Sequence, residues 1–175
     1  MKDLLVGQPV LVPIDMQIAE YNLDYSIPQM SGYGDRVKRA IAMVQPARNA
    51  RIPVIILQER HSGTLVDFGR ELDGSEGVHC LEDDPQKALV PELPPRPHEY
   101  FVPKRRYSAF FGTDFDVLLK GLKAKPSILF GALTDICVRY TFVDAHQHDY
   151  HVRVVTDAVG GSLQDADDAA LRAME

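Results

Sequence analysis

The sequence predicts an α/β protein: a three-layer α/β/α doubly wound sandwich around a mostly parallel sheet of five or six strands. Short continuous apolar runs, rich in β-branched residues, recur along the chain. Segments with helical spacing fall between them, and polar residues stand where the apolar runs end. Unbroken apolar strands are buried on both faces, as in a parallel sheet covered by helices. Strand–helix alternation then implies a doubly wound sheet with right-handed crossovers.

The strands follow in order. Val10-Leu11-Val12-Pro13-Ile14 ends at Asp15, and Pro53-Val54-Ile55-Ile56-Leu57 ends in Gln58-Glu59-Arg60-His61. Tyr100-Phe101-Val102 precedes Pro103-Lys104, Ser127-Ile128-Leu129-Phe130 leads into Gly131, and His151-Val152-Arg153-Val154-Val155 leads to Asp157. Between the first two, Val37, Ala40, Ile41 and Val44 form a helical stripe that Pro46 is expected to kink or shorten. Thr113-Asp114-Phe115-Asp116 opens a second helix with Phe115, Leu118, Leu119 and Leu122 facing inward. A third is expected from about Thr134 through Val138, Thr141, Phe142 and Ala145, and a fourth from Ser162 to the end of the chain.

The 175 residues suit one domain, 1–175, carrying a long loop insertion at about 61–97. That loop is rich in Gly and Pro and too long for a passive connector, so a functional role is expected. With 19 basic and 25 acidic residues the net charge is -6, which argues against nucleic-acid and anionic-membrane partners. No apolar run approaches the ~20 residues of a membrane span. The start of the chain lacks the apolar region of a secretion signal. Cys80 and Cys137 are too few for a disulfide scaffold, so a cytoplasmic setting is expected.

Ligands of an open parallel sheet bind outside the carboxyl ends of its strands. Asp15, Lys104 and Cys137 all fall there: after the first strand, after the third, and in the segment after the fourth. Alone, each has a bland explanation as a turn residue, a solvated cation or a small buried hydrophobe; together they form a candidate site. A cysteine in the first turn of a helix capped at Thr134 is expected to favour the thiolate, with Lys104 lowering its pKa further. Asp15 would take the thiol proton and return it to a leaving group, and helix-start amides would hold an oxyanion.

Gly131-Ala132-Leu133-Thr134-Asp135-Ile136-Cys137-Val138, with Thr141 and Asp144-Ala145, resembles the signature of the isochorismatase-like cysteine hydrolases, which include nicotinamidases and N-carbamoylsarcosine amidases. Ile14-Asp15-Met16-Gln17 is similar to that family's first-strand motif, and Pro103-Lys104 through Phe111-Gly112-Thr113 to its lysine motif. Val154-Val155-Thr156-Asp157-Ala158 matches the strand before its last helix, so the resemblance spans essentially the whole chain. It implies Cys137 as nucleophile, Asp15 as general base and acid, and Lys104 as the charge between them. It further implies a cis Ala132–Leu133 peptide and an oxyanion hole from the backbone N–H groups of Leu133 and Cys137.

The implied activity is cysteine-dependent cleavage of a C–N bond in a small amide, carbamoyl or ureido compound. It proceeds through a thioester and releases ammonia or an amine, and the triad requires no cofactor. The alternative within the family is a metal-bearing nicotinamidase. There Glu59, His61 and His79 would hold a divalent metal, zinc or iron, although Glu59 stands where the family pattern has Asp. The other reading of Glu59 and Arg60 is substrate contact or ion pairing. Arg105, Arg106 and Tyr107 are candidates for a substrate carboxylate, with surface placement the other reading of either Arg. His146 and His148, two apart on a helix, do not share a face, so no joint site is expected from His146, His148 and His151. An alternative of another class is an inactive interaction or signalling domain, disfavoured by the single Asp15 followed by Met16 and Gln17. The resemblance also implies a homodimer or homotetramer, and the end of the chain at Glu175 implies a missing sixth strand or a subunit covering that edge.

Overall fold

A computed structural model of the protein describes residues 7–22, 24, 27–30, 32–74 and 76–175. The segment 1–6, on which the expectation about secretion rests, lies outside them. Five strands form one parallel sheet: β1 (Gln8–Ile14), β2 (Ile55–Glu59), β3 (Tyr100–Lys104), β4 (Ala124–Ala132) and β5 (His151–Gly160). Their order is β3-β2-β1-β4-β5, all neighbours parallel. The apolar runs do form the strands, and every residue of β2 is buried, as a strand covered on both faces requires.

Four α-helices connect and flank the sheet: α1 (Tyr33–Asn49), α2 (Phe115–Gly121), α3 (Arg139–Gln147) and α4 (Gln164–Ala173). From β1 the chain steps one way to β2 and β3, then returns past β1 to β4 and β5. Right-handed crossovers therefore put α1 on one face and α2 and α3 on the other. The reversal lies between β1 and β4, and the crevice it opens at their carboxyl ends is where such sheets bind ligands. Among its described residues, the segment between β2 and β3 contains two short 3₁₀ turns, Glu71–Asp73 and Pro85–Lys87.

Three local expectations are corrected. Pro46 does not shorten α1, which continues to Asn49 with Tyr33, Val37, Ala40, Val44 and Ala47 buried along one stripe. Pro46 and Ala42 face solvent, so the carbonyl that loses its helical donor is hydrated instead. Ser162 does not open the last helix; its amide and hydroxyl donate to the Asp135 carboxylate at 3.0 and 2.6 Å, tying the end of β5 to the cysteine segment. The third helix begins as a π-helical turn, Thr134–Val138, before α3 proper. Leu133 rather than Thr134 is its cap residue, and the buried Thr134 hydroxyl has no hydrogen-bond partner. Among the described residues, no helix is long and apolar enough to cross a membrane.

Candidate active site

Asp15 follows β1 directly, held at φ 49° with its amide donating to the Leu57 carbonyl at 3.2 Å. Glu59 and Lys104 end β2 and β3 and are register partners. Two strand spacings of about 4.8 Å separate β3 from β1, a span that calls for a long side chain. Lys104 supplies it: Nζ lies 2.8 Å from Asp15 Oδ2 and 3.4 Å from Glu59 Oε1, and donates to Cys137 Sγ at 3.3 Å. The lysine is 0% exposed. The structure thus brings Asp15, Lys104 and Cys137 together, with Glu59 of the intervening strand as a third acidic neighbour of the ammonium.

Burial works against the Lys104 charge, but Asp15, Cys137 and Glu59 around it hold the ammonium well above its ordinary range. Burial also raises Glu59, yet Lys104 and the nearby histidines outweigh it and keep this carboxyl below the usual carboxylate range. Asp15 is pushed up by burial, with Lys104 opposing and Glu59 adding. Burial likewise drives the Cys137 thiol well above its ordinary value; Lys104 opposes this while Glu59 and Asp15 reinforce it. This direction runs against the thiolate expected from the helix start, because the Lys104 cation is shared between two carboxylates and the sulfur.

The surrounding motif residues position these groups. The Ala132–Leu133 peptide is cis, and Gly131, at φ 124°, packs so closely on β1 that a Cβ there would drive into the Ile14 carbonyl. After Lys104, Ser108 Oγ donates to Asp144 Oδ2 at 2.5 Å and the Ala109 amide donates to Thr141 Oγ1 at 3.1 Å. These bonds fasten the lysine loop to α3. Gln17 joins the ends of β1 and β2: its side-chain oxygen accepts from the Glu59 amide at 3.0 Å, and Nε2 donates to the Lys87 carbonyl at 2.8 Å.

Beside the triad, Glu59, His61, Glu71 and His79 form a buried cluster whose ligating atoms all lie within 4.8 Å of one another. His61 Nε2 is 3.9 Å from Glu59 Oε1 and 4.0 Å from Glu71 Oε2; His79 Nε2 is 3.8 Å from Glu59 Oε2 and 3.9 Å from Glu71 Oε1. Both Glu71 oxygens and Glu59 Oε1 lack hydrogen-bond donors. His79 Nδ1 is engaged with the Gly77 carbonyl at 2.7 Å, which leaves Nε2 to face the cluster. His61 stacks on buried Phe68, with ring centroids 3.8 Å apart, and this contact folds the long loop over the site. Two carboxylates and two imidazoles at these separations suit a divalent cation coordinated at about 2.0–2.2 Å. Asp15, Glu59 and Cys137 are also mutually close, but the ammonium of Lys104 already sits among them.

A cleft opens onto Asp15, Cys137, Leu133, Glu59 and His79, joining the three groups around Lys104 to the four-residue cluster. Arg105 and Arg106 do not line it, correcting their expected role. Arg105 pairs with Asp67 at 3.1 Å and Glu82 at 3.0 Å, and Arg106 donates to the Asp67 carbonyl beneath Phe111. Tyr107 does line it. Cys80 is buried beside Gln17, its thiol pushed up by burial and by nearby Glu59 and Asp15. His146, His148 and His151 are exposed, and His148 stacks on Phe110. Glu71, Glu20 and Glu76 were not anticipated, since no periodicity or motif marks acidic residues in irregular segments.

A family profile, Isochorismatase domain, matches residues 9–175. The chain is 37% identical over 173 residues to the ureidoacrylate amidohydrolase RutB of Agrobacterium fabrum, covering 87% of this chain and 75% of that protein. Among solved structures it resembles an isochorismatase family protein from Desulfovibrio vulgaris at 28% identity, with a TM-score of 0.84 over 95% of this chain and 89% of the other. It also resembles the N-carbamoylsarcosine amidase of Thermoplasma acidophilum at 26% identity, with a TM-score of 0.78 over 96% and 93%. With the profile covering nearly the whole chain and the motif residues meeting in one cleft, the chain belongs to the isochorismatase-domain family of hydrolases.

Proposed function

We propose that the protein is a cysteine amidohydrolase that cleaves the C–N bond of a small amide, carbamoyl or ureido compound. The observation that carries this reading is the Lys104 ammonium, 2.8 Å from Asp15 and 3.3 Å from Cys137 at the base of one cleft. Relatives named as a ureidoacrylate amidohydrolase and an N-carbamoylsarcosine amidase support it.

The cycle begins when Asp15 takes the Cys137 proton and the sulfur attacks the carbonyl carbon. The raised thiol means that this transfer belongs to the reaction itself, driven as the C–S bond forms. The backbone N–H groups of Leu133 and Cys137 would hold the oxyanion. As the tetrahedral species collapses, the C–N bond breaks and protonated Asp15 gives its proton to the departing nitrogen, leaving a thioester on Cys137. Asp15 then deprotonates water, which attacks the thioester; the C–S bond breaks, the acid leaves, and the proton returns to sulfur. Lys104 keeps its proton throughout and stabilises whichever partner carries the negative charge.

The second reading, a metal-bearing enzyme of the nicotinamidase type, is favoured by the two Glu71 oxygens, without hydrogen-bond donors among the described residues, facing two imidazoles. Glu59, His61, Glu71 and His79 would hold zinc or iron. Such an ion supplies an electrophilic point that orients a substrate heteroatom at the edge of the cleft.

An ammonia-release screen over small amides, ureas and nicotinamide tests the function. Turnover by the wild type that is abolished in Cys137→Ala, with the fold intact by circular dichroism, is expected. Near-wild-type turnover in that variant refutes the scheme.

A further inference from the structure

The polar lining of the cleft is one-sided. Its side chains with titratable or polar groups are Asp15, Glu20, Glu59, Glu76, His79, Tyr107 and Cys137, with no Lys or Arg among the described lining residues. Lys104, behind the lining, is shared by Asp15, Glu59 and Cys137. Arg105 and Arg106 are committed to Asp67, Glu82 and loop carbonyls away from the cleft.

Glu76 and Glu20 take no part in the triad or the four-residue cluster. Half-buried Glu76 accepts one bond, from the Tyr107 hydroxyl at 3.2 Å. Buried Glu20 accepts from the Met30 amide at 3.2 Å. Neither has an ion-pair partner among the described residues. A carboxyl group on the wall of a partly enclosed cleft, without a cation of its own, favours a ligand that brings a donor or a positive charge. The same group repels a second carboxylate, because like charges interact strongly where water is scarce.

We propose that this cleft selects amides or ureas bearing a neutral donor or cationic group beyond the scissile bond and rejects carboxylate-bearing ones, with Glu76 as a specificity-determining residue. The proposal rests on the amidohydrolase reading and names its substrate class. It separates this chain from the Agrobacterium relative, whose named substrate, ureidoacrylate, is itself a carboxylate.

Three ureas sharing one two-carbon arm test it: 2-aminoethylurea, 2-hydroxyethylurea and 3-ureidopropionate. Ammonia release by the full-length protein gives kcat/KM for each, and calorimetric titration of Cys137→Ala gives binding without turnover. The cationic or the neutral urea is expected to exceed the carboxylate by about tenfold or more in both measurements. Glu76→Gln is expected to narrow that ratio, and Glu76→Lys to narrow it further or invert it. Equal or better use of 3-ureidopropionate, equal binding of all three, or an unchanged ratio in both Glu76 variants overturns the proposal. If no amide or urea releases ammonia, the amidohydrolase reading fails by itself, and the binding order on Cys137→Ala still decides selectivity.

Discussion

Lys104 and Asp15 lie at the ends of strands separated by β2, yet their charged groups meet at 2.8 Å because the lysine arm crosses the end of that strand. The crossing brings Glu59 into contact as well, at 3.4 Å. The site is thus a buried cation ringed by three acidic groups, and its pH behaviour, stability and chemistry follow from that imbalance.

Lys104→Met removes the cation that lies among Asp15, Glu59 and Cys137. Turnover of a responsive amide is expected to fall about a hundredfold or more. Stability is expected to drop by about 3–5 kcal/mol, because breaking a buried pair leaves uncompensated charge. Urea unfolding and ammonia release check both; an unchanged unfolding midpoint contradicts the account.

Glu20 is pushed up to about 7 by burial, with the Met30 amide opposing and Asp15 and Glu59 adding. Its folded value lies above its unfolded one, so its contribution is complete below about pH 4.5 and is lost as pH rises through 7. Glu20→Gln, neutral throughout, is expected to gain on the wild type between pH 5 and 8, by up to about 3 kcal/mol. Urea midpoints at the two pH values measure this, and a pH-independent difference contradicts it.

Thr141→Val keeps the shape of a fully buried side chain but leaves the Ala109 amide without its acceptor. A loss of about 1–3 kcal/mol is expected. Turnover should fall with it, since the lysine loop is fastened to α3 there. Full activity in a destabilised variant would separate the fastening from Lys104 placement.

On the second, metal-bearing reading, protein purified without chelator or a metal-affinity tag would carry about one equivalent of divalent metal, by elemental analysis. Glu71→Gln is expected to lower that content, since Glu71 supplies two otherwise unpartnered oxygens. Less than about a tenth of an equivalent in the wild type contradicts the metal reading.

The strands and the meeting of Asp15, Lys104 and Cys137 at the ligand edge were legible because their signals are local. An unbroken run such as Ile55-Ile56-Leu57 fits a covered parallel strand, and a reactive residue following such a run falls at the ligand edge of the sheet. Glu71 was not legible: it reaches the cluster only because Phe68 stacks on His61 and folds the loop inward, a tertiary contact without a sequence period. The upward push on the Cys137 thiol was not legible for a related reason. Position in a helical turn and proximity to lysine argue for a thiolate, whereas burial among Asp15 and Glu59 depends on how three strands converge. Pro46 shows the converse, a local breaker tolerated where the orphaned carbonyl faces water.

The central claim is covalent attack by Cys137. Mass spectrometry of protein acid-quenched during turnover of an amide substrate tests it most directly. The account expects the acyl adduct on the peptide containing Cys137, absent from Cys80 and lost in Cys137→Ala. Turnover with no adduct at Cys137, persisting in that variant, would contradict it.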